Sequence, residues 1–215
     1  MKPLLTKRKH GSKEKGKAAF LCLLLIITGC RHDYIPKPRA YFRIDLPRHS
    51  YMVYDSVCPY MFEYPVYTRI TPSTDRFAEP CWINIVYAHY KATVHISYKS
   101  IKGNLEQLFE DSRTLVYKHT IKAESISEQL YTNTDGNVYG ILYDITGNAA
   151  SNIQFVLTDS VHHFIRGALY FRAEANADSL APVIRFIRED IIHLMETLDW
   201  KSYGRQAGAI SSPGK

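Results

Sequence analysis

Period-two alternation recurs along this chain and restricts its fold more than any other feature. Successive side chains of an extended strand point to opposite faces, so an alternating run buries one face and wets the other. Asn137–Ile145 (NVYGILYDI), Ile153–Leu157 (IQFVL) and His163–Ala173 (HFIRGALYFRA) read as three consecutive antiparallel strands. Gly147–Ser151 and Thr158–Ser160 supply the turns between them. Trp82–Tyr87 (WINIVY) and Ala92–Tyr98 (ATVHISY) read as a hairpin around Ala88–Lys91. Ser125–Tyr131 and Met61–Tyr67 carry fainter strand patterns.

Two segments have helical period instead. Asn104–His119 places Leu105, Leu108, Phe109, Leu115 and Val116 on one side, with Asn104 and Gln107 spaced as a capping box. Ser179–Leu198 carries the stripe Leu180, Val183, Ile184, Ile187, Ile191, Leu194, Met195 and Leu198. Asp178 or Ser179 caps that helix, which puts Pro182 in its first turn, where proline is tolerated. Each helix has a face to bury, and an antiparallel sheet offers the surface for it. The order βββ-α-ββββ-α predicts an α+β fold, a sandwich of the PsbP/Mog1 kind by analogy of element order. A single domain is expected over residues 51–203, with a disordered polar tail over 204–215.

The first thirty residues are of another kind. Lys2, Lys7, Arg8, Lys9, Lys13, Lys15 and Lys17 stand against Glu14 alone, and the apolar run Ala18–Ile27 follows. As a helix that run spans about 15 Å, half a bilayer core, which suits a signal-peptide h-region better than a membrane span. Ile27-Thr28-Gly29-Cys30 resembles the bacterial lipobox. The resemblance implies that residues 1–29 are removed and that Cys30 becomes the lipidated first residue of the mature chain. More than one acyl chain on Cys30 would satisfy the requirement for stable anchoring. Residues 31–50, punctuated by Pro36, Pro38 and Pro47, read as an extended tether whose later, more apolar part lies along the body.

Processing at Cys30 also cancels the basic charge. The chain has 27 Lys+Arg and 21 Asp+Glu; residues 1–29 hold 7 and 1, so 27 − 7 = 20 and 21 − 1 = 20 remain. A formally neutral mature chain has no nucleic-acid footprint and no polybasic lipid patch. Its remaining cysteines, Cys58 and Cys81, are either a disulfide or two buried thiols. A bond beyond the inner membrane is permitted by the compartment and would stabilise the fold by about 3 kcal/mol in the chain-entropy model.

Chemistry-bearing motifs are scarce. G-x-S-x-G, the P-loop, G-x-G-x-x-G, H-E-x-x-H and C-x-x-C are all missing from the sequence. Gly147–Ser151 reads as a turn, without phosphate-binding spacing. His162 and His163 would point to opposite faces of a strand and so diverge from a shared metal, with Asp159 the one other ligand type nearby. His95 is expected on an outer strand face with Thr93 and Ser97, and His119 at a helix C-terminus. Arg185–Glu196 reads as a solvated helix face, on which Arg185 and Arg188 face Glu189 and Glu196. The sixteen tyrosines hint at a binding surface. No catalytic residue, cofactor or metal is expected.

Several longer strings carry a resemblance. Asp33-Tyr34-Ile35-Pro36-Lys37-Pro38-Arg39-Ala40-Tyr41-Phe42-Arg43-Ile44-Asp45 follows Cys30, and Cys58-Pro59-Tyr60-Met61-Phe62-Glu63-Tyr64-Pro65 comes next. Then come Asp111-Ser112-Arg113, Tyr117–Ala123, Gly147–Ser151, Phe164–Phe171 and Phe186–Leu194. Together they resemble the gliding-motility lipoprotein GldD family of Bacteroidetes over nearly all of residues 30–201. That resemblance implies a membrane lipoprotein of the cell envelope, needed for gliding and tied to protein secretion, with its body in the periplasm. It transfers one functional position, the lipid cysteine Cys30, and no catalytic residues. Two functions compete: a non-enzymatic assembly component whose partners are the membrane and other gliding or secretion proteins, and a periplasmic enzyme or ligand-binding lipoprotein acting on envelope material.

Overall fold

The computed structural model describes residues 44–118, 122–172 and 177–201, with backbone alone at 177–179. The signal segment, Cys30, the first part of the tether, His119 and the tail over 204–215 lie outside the described residues.

The described residues form β1 (Tyr51–Asp55), β2 (Tyr60–Pro65), β3 (Arg69–Pro72), β4 (Ile83–Tyr87), β5 (Ala92–Ser100), α1 (Leu105–Tyr117), β6 (Ala123–Asn133), β7 (Val138–Gly147), β8 (Ser151–Thr158), β9 (His163–Phe171), α2 (Ala177–Thr197) and β10 (Asp199–Trp200). The fold is α+β, with every strand pair antiparallel. Seven strands make one sheet in the order β3-β4-β5-β9-β8-β7-β6, and β1-β2-β10 make a second, smaller one. The β4–β5 connection is a 3₁₀ turn, Ala88–Tyr90, closed by Lys91 in the left-handed region at φ 51°.

The two faces of the large sheet have separate covers. On one side Ile85, Val94, Leu142, Phe155 and Leu169 pack against Phe186, Ile187 and Ile191 of α2 and against Tyr60 and Phe62 of β2. On the other, Tyr143, Ile145, Val156 and Phe164 meet Val116 of α1, with Leu108 and Phe109 at its margin. The interior strand β8, next to the central β9, lies between both covers, and every one of its residues is buried. That explains its compact apolar run, since a strand covered on both faces has no wet side to alternate toward. Gly167 stands opposite Phe155 in the β8–β9 register. A Cβ there would sit 2.1 Å from the Phe155 ring, so only glycine lets the ring cross the neighbouring strand.

Local details depart from expectation in three places. Strands β1, β3 and β10 were not legible: they are short, and β1 shows no alternation of buried and exposed residues. The capping box at α1 does not form. Asn104 Oδ1 accepts from the Lys102 amide at 2.8 Å, and Gln107 Nε2 donates to Asp111 at 2.7 Å, so both side chains are engaged elsewhere. Helix α2 begins at Ala177, which moves Pro182 beyond the first turn. The Asp178 carbonyl loses its helical donor there, and packing of the apolar stripe on the sheet compensates.

Candidate functional site

Helix α2 holds one acid on its apolar side. Ile187, Ile191 and Leu194 set the stripe, and Asp190, three residues after Ile187 and four before Leu194, shares their face. Its carboxylate is 1% exposed. A lone charge so placed would be costly, and four side chains converge on it. His49 Nδ1 lies 2.7 Å from Oδ1, and the Tyr51 hydroxyl donates to the same oxygen at 3.1 Å. The Tyr67 hydroxyl reaches Oδ1 at 2.8 Å and Oδ2 at 2.9 Å, and the Tyr87 hydroxyl donates to Oδ2 at 3.2 Å. His49 Nε2 in turn sits 2.9 Å from Glu189. With both ring nitrogens facing carboxylates, both donate only as the imidazolium.

The rings are stacked as well as bonded. His49 lies on Phe186 with centroids 4.4 Å apart, and Tyr51 lies on His193 at 3.6 Å. Burial pushes the Asp190 carboxyl above its usual range, against the pull of hydrogen bonds from His49, Tyr67 and Tyr51. Burial first, and Asp190 second, push the Tyr87 hydroxyl well up. Burial and Asp190 raise Tyr51 and Tyr67 likewise. These hydroxyls therefore stay protonated and act as donors.

Chemically the cluster is closed. A general base needs a lone pair that can face substrate. Here both carboxylate oxygens are engaged by side chains of the fold, and the second nitrogen of His49 is held by Glu189. What the cluster does is fasten. His49 belongs to the stretch before β1, Tyr51 to β1, Tyr67 to the β2–β3 connection and Tyr87 to β4, and all are tied to one carboxylate of α2. Ile44 packs on the same core, and the Tyr90 hydroxyl donates to the Asp45 carbonyl at 3.4 Å. A small cavity of about 350 Å³ beside Tyr67 and Tyr87 is partly walled by Asp45, Leu46 and Pro47.

Further ties join the two sheets. Cys58 and Cys81 are linked by a disulfide with Cα atoms 5.5 Å apart, connecting the lead into β2 with the lead into β4. The Tyr60 hydroxyl donates to the Cys81 carbonyl at 2.7 Å. Arg188 grips Asp144 of β7 through two bonds of 2.8 Å, and His193 meets Glu63 of β2 at 2.7 Å. The charged run of α2 is thus solvated only in part: Arg185, Glu189 and Glu196 are exposed, as the spacing suggests, whereas Arg188 and Asp190 turn inward. Arg188 reaches the large sheet, Glu189 reaches His49, and Asp190 is buried.

The other sequence candidates stay apart. Cys30 lies outside the described residues. Gly147 takes a φ of 89° in the turn from β7 to β8, and Asn152 Nδ2 donates to the Ile145 and Gly147 carbonyls there. His163 is buried, with Nδ1 2.8 Å from the Tyr98 hydroxyl, whereas His162 is exposed. Asp159 accepts from the amides of Val161, His162 and His163 at 3.0, 2.7 and 2.8 Å. Among the described residues no group of three or more His, Cys, Asp or Glu side chains is placed to hold a metal. No described helix is long and apolar enough to cross a membrane.

Comparison with known proteins adds the following. A family model described as "Gliding motility lipoprotein GldD" matches residues 31–200. No curated protein matches the chain. Among solved structures, the solution structure of cyanobacterial PsbP (CyanoP) from Synechocystis sp. PCC 6803 is similar at 12% identity and a TM-score of 0.46. That likeness covers 74% of this chain and 97% of the other.

Proposed function

The chain belongs to the gliding motility lipoprotein GldD family, and from that premise we propose that it is a non-enzymatic assembly component of a gliding and protein-secretion apparatus, anchored in the envelope by lipid on Cys30. The observation that carries the reading is the extent of the family match, residues 31–200, which starts directly after the lipobox cysteine. The fastening at Asp190 supports it mechanically. A tether transmits position only if its far end is fixed, and residues 44–51 are fixed to the core through Ile44 and to α2 through His49 and Tyr51. From Cys30 to Ile44 the chain can reach at most about 50 Å, which sets a ceiling on the distance between lipid and body. The partners are then the membrane and other proteins of the apparatus, met on the periplasmic side, with no cofactor and no metal.

The test is a strain whose only copy is Cys30→Ala. The proposal expects the protein to leave the membrane fraction and colony spreading to fall to the level of the deletion strain, with the protein still folded. Full spreading by a soluble Cys30→Ala protein would overturn it.

A further inference from the structure

Helix α1 covers only half of its side of the large sheet. Its apolar residues sit over β7, β8 and β9, and the same face of β4 and β5 carries no helix. Between α1 and the Ser73–Asp75 stretch beyond β3 lies a groove of about 500 Å³, the size of a small-molecule site. Trp82, Phe164, Leu108 and Leu115 give it apolar walls. Asn84, His95 and Arg166 lie along its floor.

Arg166 is the unusual member. Its side chain comes from the central part of β9 and is mostly out of water. Its Nη2 donates to Gln154 Oε1, and the Tyr170 hydroxyl lies near. Its Nε is buried with no acceptor, and so is Nε2 of the fully buried Gln154 beside it. No carboxylate of the described residues pairs with this guanidinium. Burial lowers its proton affinity, yet a guanidinium remains charged in any protein. A buried cation without a counter-ion is one of the costlier arrangements a fold can keep, and buried donors without acceptors add to that cost.

The acids around the groove do not supply the counter-ion. Asp111 accepts from Gln107 at 2.7 Å, Asp75 accepts from the Phe77 amide at 2.8 Å, and Glu79 pairs with Lys99. They do shape what enters. Two carboxylates at the rim repel a dianion, and Lys99 is already shared between Glu79 and the Trp82 ring. A phosphate monoester meets one free cation and two acids there, whereas a single carboxylate needs only the one cation.

We propose that this groove binds a small carboxylate with an apolar body, the carboxylate accepting from Arg166 and the body lying between Trp82 and Phe164. The site is independent of the apparatus role and of the cluster at Asp190. Its occupant is the organic monoanion that the walls and the lone guanidinium select together.

Ligand-observed saturation-transfer NMR on the purified full-length lipoprotein tests this with three probes: phenylacetate, its uncharged isostere phenylacetamide, and phenyl phosphate. Phenylacetate is expected to bind saturably, with the other two at least ten-fold weaker. Arg166→Gln is expected to weaken phenylacetate at least ten-fold at an unchanged melting temperature. Leu115→Trp, which fills the groove from its exposed wall without touching Arg166, is expected to do the same and decides the matter should Arg166→Gln not fold. Binding retained in the variant that folds would overturn the proposal. So would equal binding of the amide, tighter binding of the phosphate, or no saturable phenylacetate binding at millimolar concentration.

Discussion

Asp190 shows how much one residue can organise when it is charged, buried and fully engaged. Four side chains from different parts of the chain converge on it. Asp190→Ala should therefore cost about 3 kcal/mol, because it removes the buried carboxylate that His49 and three tyrosine hydroxyls share. Urea unfolding compared with the wild type reads this directly, and a change below a few tenths of a kcal/mol would show the cluster to be incidental. Asp159 gives the matching prediction for pH. Burial alone would raise its carboxyl, but the amides of His163, His162 and Val161 more than offset that and hold it below its usual value. A depressed folded value means stability that is present above the ordinary carboxylate range and lost as pH falls through the folded one. Asp159→Asn should thus be less stable than the wild type at neutral pH, by about 1 kcal/mol. The gap should close below about pH 4. At this scale the sequence was only partly legible. It placed Asp190 within the solvated run Arg185–Glu196, because charge on a helix reads as solvent-facing by default. The signal that would have found Asp190 is its register: it falls inside the stripe of Ile187, Ile191 and Leu194.

At the scale of elements, the strands with a buried face and both helices announced themselves because periodicity survives wherever a face is buried. β5, β7 and β9 show this, whereas β6, long but without a buried residue, reads faintly. Failures cluster where an element is made by its partner. β1, β3 and β10 have few residues and exist because β2 or β4 offers a ladder. The pairing of Cys58 with Cys81 is similar: spacing allowed it, but only the placement of β2 beside the lead into β4 brings the Cα atoms to 5.5 Å. The tie spans two sheets, so reduction should lower stability by about 3 kcal/mol with secondary structure retained. Thermal melting with and without reductant, alongside thiol labelling of the unreduced protein, checks both statements. Free thiols in protein taken from the envelope would contradict the bond. The lead-in stretch gives a second element-scale expectation. His49→Ala should speed amide exchange over residues 44–55 while leaving β7–β9 unchanged, because His49 ties that stretch to α2 and makes no bond to β7–β9.

For the whole molecule, α+β architecture and family membership were legible, each for its own reason. Architecture follows from alternating runs and amphipathic helices; membership follows from strings spread across the body, which pattern arguments do not explain. The groove on the α1 side was illegible, since it arises from what α1 fails to cover, and Arg166 reads in sequence as an ordinary strand arginine. A body whose lead-in stretch is pinned to its last helix suits a component that holds position relative to a membrane. The measurement that tests this most directly is affinity capture of the lipidated protein after brief crosslinking in living cells, followed by mass spectrometry, with Cys30→Ala as the control. Membership in an apparatus predicts a recurrent set of envelope motility or secretion proteins that is lost in the control. Good recovery of the bait with no such set, or the same set from the unanchored form, would contradict it.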